Sequence, residues 1–547
     1  MKIISVYRNA AMLFITALVC VSTVFEAKAN VELKVLGTYA AGVYNQGASE
    51  IVAYDAQTRR LFTVNGATSK IDVLSIANPS APTLLFSIEL AAYGRQANSV
   101  DVKNGIVAVA VEANAKTDNG RVVFFDANGV FLNAVTVGAL PDMVTFTPDG
   151  AKVLVANEGE PNNDYTVDPE GSGSIVNISG GVANATATTA GFSAFSRSAL
   201  DSNIRIFGPN ATVAQDLEPE YITVSHDSKT AWVTLQENNA VGILDLQSGG
   251  FTKLVGLGFK DHNLAGNGLD ASDRDNLILN IRNWQVFGMY QPDGIASFQV
   301  NNETFLITAN EGDAREYTGR PGFVEEVRVR SLTLDPFIFP NADFLKLDAN
   351  LGRLNVSRAL GDFDSDGDYD ALYAFGARSF SILTASGEQI YDSGDDIEEI
   401  TAQAFLPFFN AGNTNNTRDD RSDNKEPEPE GVTVGNAYGR NYAFIGLERI
   451  GGVLVYDVAN PRSPQFVQYI NNRNVFAPTN TRAAGDLGPE GLRFISAEES
   501  PTGTPLLVVA NEISGTTTVY EIAQVNTGIN PFQIDINSLR IDINSLR

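Results

Sequence analysis

The most ligand-rich stretch of the sequence is Asp362-x-Asp364-x-Asp366-Gly367-Asp368-x-Asp370. Alternating carboxylates around a glycine turn bring several hard oxygens onto one cation, which is the chemistry of a calcium loop. The twelfth position is Tyr373 rather than the bidentate Glu of an EF-hand, so a calcium loop of another kind is expected. Its ion is expected to be structural Ca2+, because the motif supplies its own ligand set.

A second set of acids recurs along the chain. A small residue or Pro followed by an acid opens a strand, and an Asn-Glu or similar pair closes the next one. Good copies run from Pro141-Asp142 to Asn157-Glu158, Pro219-Glu220 to Gln236-Glu237, and Pro292-Asp293 to Asn310-Glu311. Two more run from Pro429-Glu430 to Leu447-Glu448 and from Pro489-Glu490 to Asn511-Glu512, with weaker copies at Ser49-Glu50 and Asn98-Ser99. So many carboxylates repel one another unless cations neutralise them. Glu158, Glu220, Asp293, Glu311, Asp313, Glu430, Glu448, Glu490 and Glu512 are therefore candidate ligands for Mg2+ or a second Ca2+. The competing reading is that they cap strand ends. Lys425, Arg315, Arg378 and Arg449 are nearby candidate counterions.

A third stretch, Asp261-His262 to Asp275, holds Asp270 and Ser272 and one of only two histidines. A Ser-His-Asp triad from Ser272, His262 and Asp261 has no support from spacing. Were the chain an enzyme, Asp270, Ser272, Asp293, Arg315 and Lys425 would be its candidate catalytic residues. Two histidines exclude a multi-histidine zinc or iron centre. No phosphate-binding glycine loop stands between a strand and a helix, so no nucleotide cofactor is indicated.

The elements that position these residues are strands. Short Val/Ile/Phe-rich runs separated by turns fill the chain, whereas helical periodicity is scarce. The acid-bounded unit occurs seven times, each continuing into a third strand such as 71–76, 122–126, 241–246 or 453–458. In the fifth copy that strand is delayed to 379–383 by a long insertion, and the seventh copy lacks a convincing fourth strand. The run 31–39 could pair there and close a ring. The expected fold is all-β: a seven-bladed β-propeller closed by the N-terminal strand, with long loops on one face. The long connections are 159–173, 185–218, 253–291, 313–377 and 396–428, on the face where the acids converge.

Three domains are expected: a signal peptide over 1–29, the propeller over 30–525, and a tail over 526–547. Lys2 and Arg8 precede an apolar run, and Ala27-Lys28-Ala29 predicts cleavage between Ala29 and Asn30. Cleavage deepens the net charge from −27 to −29, because Lys2, Arg8, Lys28 and Glu26 leave. It also removes Cys20, the only cysteine, and with it thiolate chemistry, haem attachment and iron–sulfur ligation. A chain this acidic repels phosphate backbones, which argues against nucleic-acid partners. No later segment has the length or hydrophobicity of a transmembrane span. The sequence ends with Ile534–Arg540 repeated verbatim as 541–547.

Several segments together resemble the choice-of-anchor I family. They are Asn157-Glu158-Gly159-Glu160-Pro161, Gly268-Leu269-Asp270-Ala271-Ser272-Asp273, Asn310-Glu311-Gly312-Asp313-Ala314-Arg315 and Gly376-Ala377-Arg378-Ser379. Pro429-Glu430-Gly431-Val432, Gly446-Leu447-Glu448-Arg449 and Val508-Val509-Ala510-Asn511-Glu512 complete the set, in order along nearly the whole mature chain. The resemblance implies an exported propeller of the YVTN type. Its members include proteins named mesenchyme-specific cell surface glycoprotein and bacterial proteins named alkaline phosphatase. The varied C-terminal anchors of the family have no counterpart in the duplicated ending here, so surface attachment and periplasmic residence both stay open.

Two functions follow as expectations. One is a cation-stabilised binding module for a surface protein or glycan. The other is a Ca2+- or Mg2+-dependent phosphoesterase acting on a phosphate-containing small molecule through the axial carboxylates.

Overall fold

The structure is a computed structural model that describes residues 30–277, 279–525 and 532–534. The expected signal peptide, its Ala29 cleavage position, Cys20 and most of the C-terminal duplication lie outside the described residues.

The described chain is all-β apart from short helical pieces, the longest being Asp396–Phe405. Seven antiparallel sheets follow one another, opening with Val52–Asp55, Ala97–Lys103, Pro141–Phe146, Pro219–Val224, Ile295–Val300, Pro429–Ala437 and Pro489–Ile495. In six of them four successive strands pair in chain order. The seventh has three strands of its own and a fourth from Asn30–Ala40, which pairs antiparallel with Thr516–Val525. Phe532–Ile534 adds a parallel fifth strand beside Gln465–Asn471 in the sixth sheet. Each opening strand lies against the opening strand of the next sheet, and that of the seventh lies against the first.

Adjacent residues of a strand point to opposite faces, so a sheet with a neighbour on each side must be apolar at every position. Leu61 and Leu74 pack with Val508 and Val519 of the seventh sheet. Phe62 and Val73, one residue along, pack with Val109 and Val123 of the second. This two-sided burial explains the unbroken apolar runs. At about 25 cal/mol per Å2, burial between sheets is the main stabilising term.

The long connections are more structured than loops. The stretch 185–218 contains the fourth strand of the third sheet, Thr186–Gly191, and a capped helical turn, Val213–Asp216. Sequence reading missed that strand because Thr-Ala-Thr-Thr-Ala-Gly is exposed and carries no apolar alternation. The 253–291 and 313–377 segments build one further sheet, ordered Phe259–Asp261, Phe287–Met289, Tyr373–Ala374, Asn355–Ser357, Glu326–Arg328. Its core includes Trp284, Leu332, Phe339, Leu351 and Leu372.

Candidate functional site

The repeat places its acids by a shared backbone device. In the third sheet Pro141 pairs with Asn157 and Met143 with Ala156, leaving Asp142 as the extra residue of a bulge. The same shift puts Glu220, Glu430 and Glu490 in bulges of their own sheets, and Asn98 in the second. A bulge re-aims one side chain out of the ladder. Glycine often follows the acid because neighbouring opening strands nearly touch there. A Cβ on Gly431 would lie 1.9 Å from the carbonyl oxygen of Glu490, and one on Gly491 would lie 2.5 Å from that of Glu50. Gly491 N–H donates to this Glu50 carbonyl at 3.1 Å.

The Asn of the Asn-Glu pair is a structural tie. Asn157 Nδ2 donates to the carbonyl and Oγ of Ser172 and to Ser174 Oγ; Asn310 does the same to the hydroxyls of Ser379 and Ser381. The Glu that follows is thereby set beside the bulge acid. Asp142, Asp293 and Glu490, with Asn98 and Tyr221, line a cavity of about 60 Å3.

Within this ring the carboxylates of Asp293, Glu311 and Glu430 bring oxygens within 4.8 Å of one another, and those of Glu311, Glu428 and Glu448 form a second such trio. Glu428 was missed in the sequence because it lies just ahead of the Pro-Glu signature rather than in it. Loss of water contact raises Asp142 to about 7, helped by the charges of Glu160 and Glu112. It raises Glu50 to about 8, with Glu512 and Asp142 adding to the effect. Glu220, Glu430 and Glu490 stand well above the usual carboxylate range, first from burial and then from neighbouring acids. Glu428 is the opposite case. Burial pushes it up, but Lys425, Arg449 and Arg421 outweigh that and hold it well below the usual range.

The candidate cations are already committed to carboxylates. Lys425 Nζ lies 2.9 Å from Glu311 Oε1 and 3.6 Å from both Asp313 and Glu428, and it donates to the Gly312 carbonyl. Arg449 pairs with Glu428 and Glu448 at 2.8 Å. Arg315 is fully buried, pairs with Asp216 and Glu218, and stacks on Phe207 with 4.5 Å to the ring centre. Arg378 joins Glu398 to the carbonyls of Asp270, Ser422 and Asn424.

The third stretch is buried structure. Ser272 donates its hydroxyl hydrogen to the Asp348 carbonyl, and Asp270 accepts from the Asn280 N–H at 2.8 Å. His262 donates from Nδ1 to the Asn267 carbonyl at 2.7 Å, and burial holds its pKa well below the ordinary value. No hydrogen bond among the described residues joins Ser272 to His262.

The Asp362–Asp370 segment is an exposed loop whose own N–H groups wind around its acids: Gly367 N–H donates to Asp362 and Phe363 N–H to Asp370. Oxygens of Asp362, Asp364 and Asp370 lie within 4.8 Å of one another. Asp370 also groups with Asp368 and with Asp335, an acid from far upstream that sequence reading missed. The parallel bridge between Leu334 and Tyr369 brings Asp335 there. Asp366 belongs to neither group among the described residues.

The choice-of-anchor I domain model matches residues 50–461. Gigasin-3a of Magallana gigas is 33% identical over 187 residues, 32% of this chain and 66% of that protein. The mesenchyme-specific cell surface glycoprotein of Strongylocentrotus purpuratus is 29% identical over 283 residues, 46% of this chain and 36% of that one. The chain thus spans just under two thirds of one curated relative and about a third of the other. Among solved structures, a Kuenenia stuttgartiensis hydrazine synthase chain aligns with TM-score 0.44 and 12% identity, over 89% of this chain and 99% of that one. The β-propeller domain of Myceliophteria thermophila Cps50 (Swd1) aligns with TM-score 0.43 and 7% identity, over 90% of this chain and all (100%) of that one.

Proposed function

Because the chain belongs to the choice-of-anchor I domain family, we propose that it is an exported binding module acting at the cell surface or in the periplasm. In this reading the seven sheets are the blades of a propeller, and the N-terminal strand closes the ring. The pairing of Asn30–Ala40 with Thr516–Val525 and the contact of Gly491 with Glu50 support that closure. The name of the sea-urchin relative supports the location.

One observation carries the binding reading. The 313–377 insertion exposes Phe337 (93%), Phe363 (63%), Leu347 (53%) and Phe344 (51%), with Phe363 inside its acidic loop and Phe337 two residues from Asp335. Apolar side chains held in water on a folded insertion mark an interaction surface more often than a stability device. A structural Ca2+ held by Asp362, Asp364 and Asp370, with Asp335 and Asp368 at its edge, would order this surface for a protein or glycan.

The test is saturable binding of labelled 30–547 to a glycan array and to immobilised extracellular proteins. Phe337→Ser with Phe363→Ser should abolish it while circular dichroism stays unchanged. Absence of saturable binding on either surface overturns the reading. The two axial carboxylate trios favour a second reading, the Ca2+- or Mg2+-dependent phosphoesterase. Against it, Arg315 and Lys425 spend their charge on carboxylates. Hydrolysis of p-nitrophenyl phosphate that vanishes in chelator would support it, and buffer-level turnover with every metal would remove it.

A further inference from the structure

We propose that two strand-opening acids, Asp293 and Glu430, and the strand-closing Glu311 bind one divalent oxygen-seeking cation, Ca2+ in the first instance, while Lys425 serves the neighbouring trio as a tethered cation.

Three observations converge on this division. The first is distance. Oxygens within 4.8 Å of one another fit around a single ion, since Ca2+ holds its ligands at about 2.4 Å. The second is the uneven supply of fixed charge. The two trios share Glu311, which Lys425 meets at 2.9 Å and Gln236 at 2.9 Å; beyond it, Glu428 and Glu448 of the second trio are met by Lys425, Arg421 and Arg449. Among the described residues, no Lys or Arg forms an ion pair with Asp293 or Glu430. The third is independent of both. Glu430 Oε2, inside the trio, is buried with no hydrogen-bond partner. Glu490 Oε2 and the Oε2 of Glu220, a residue only 8% exposed, are likewise buried without partners. Orphaned carboxylate oxygens are costly unless an ion or water satisfies them. The adjoining cavity of about 60 Å3 is large enough for an ion's remaining waters.

The inference is separate from the binding reading, since it concerns the axis and not the insertion. It also stands whether or not the chain hydrolyses phosphate. Calcium titration by calorimetry would be run on 30–547 carrying Asp364→Ala and Asp370→Ala, which silence the exposed loop. One equivalent should remain. Asp293→Asn with Glu430→Gln should weaken that equivalent at least tenfold and also raise the melting temperature in chelator, because repulsion is relieved. A merely structural role for the two acids would lower it instead. Lys425→Met should add a second equivalent. Loop-silenced protein that binds no calcium at millimolar concentration overturns the proposal, as does unchanged affinity in the Asn/Gln variant. Competition by Mg2+ at equal concentration would reassign the ion but not the site.

Discussion

The axial ring and the Asp362–Asp370 loop are both acidic, yet they handle charge in opposite ways. The loop gathers its acids from nine consecutive residues, leaves them largely in water, and turns its own N–H groups toward them. Screening by solvent keeps its repulsion small. The ring gathers acids from six of the seven sheets into a space with little water, and meets only part of their charge with Lys425, Arg421 and Arg449. Repulsion in such surroundings is large, so protons or metal must make up the balance. A cluster assembled by local sequence is therefore cheap to keep empty. One assembled by tertiary structure is not.

The largest expected effect breaks the buried side of this contrast. Arg315→Ala strands Asp216 and Glu218 in the interior, and the loss of stability should be about 3–5 kcal/mol by urea denaturation. A loss near zero would mean those acids reach water. Next is calcium itself. At about a hundred times its Kd, calcium should stabilise the protein by about 2.7 kcal/mol per site. Asp335→Ala should weaken the loop's affinity about tenfold, about 1.4 kcal/mol, if the upstream acid completes that site.

The third prediction uses pH. Glu50 at about 8 and Asp142 and Glu237 at about 7 stay protonated in the folded chain where the unfolded chain, at ordinary values of 4.5 or 3.8, has already ionised. The folded state then holds more protons at these three sites, so their contribution to stability in chelator is full below about pH 4 and is lost as pH rises through 7 to 8. Calcium should flatten that fall; a metal-free melting temperature that climbs from pH 5 to 8 would contradict the ring's electrostatics. The smallest effect on function is at Ser272. Ser272→Ala removes two hydrogen bonds, one donated to the Asp348 carbonyl and one accepted from the Arg274 N–H, about 1–2 kcal/mol together, and should leave any hydrolytic activity untouched.

Much of this was legible beforehand. The acid-bounded repeat located the opening strands, because a Pro followed by an acid recurs as a local pattern at five of the seven sheets, with a glycine after it in three. The delayed strand of the fifth unit, Ser379–Thr384, was also legible, since its Ser-Phe-Ser-Ile-Leu run alternates as a strand does. Thr186–Gly191 was not, because an exposed outer strand needs no apolar face. The roles of Arg315 and Ser272 stayed open in the sequence for a different reason. Their types suit catalysis as well as structure, and only their partners distinguish the two.

The sequence by itself determined the all-β class, the strands that open the seven sheets and the family, since these rest on apolar runs and short motifs written along the chain. Only the tertiary structure decided which carboxylates lie close enough to share a cation, which are answered by Lys425 or Arg449, and that Asp335 reaches Asp370. Those outcomes depend on distances between segments far apart in sequence, and electrostatic energy depends on distance and on exclusion of water, neither of which is written in local order.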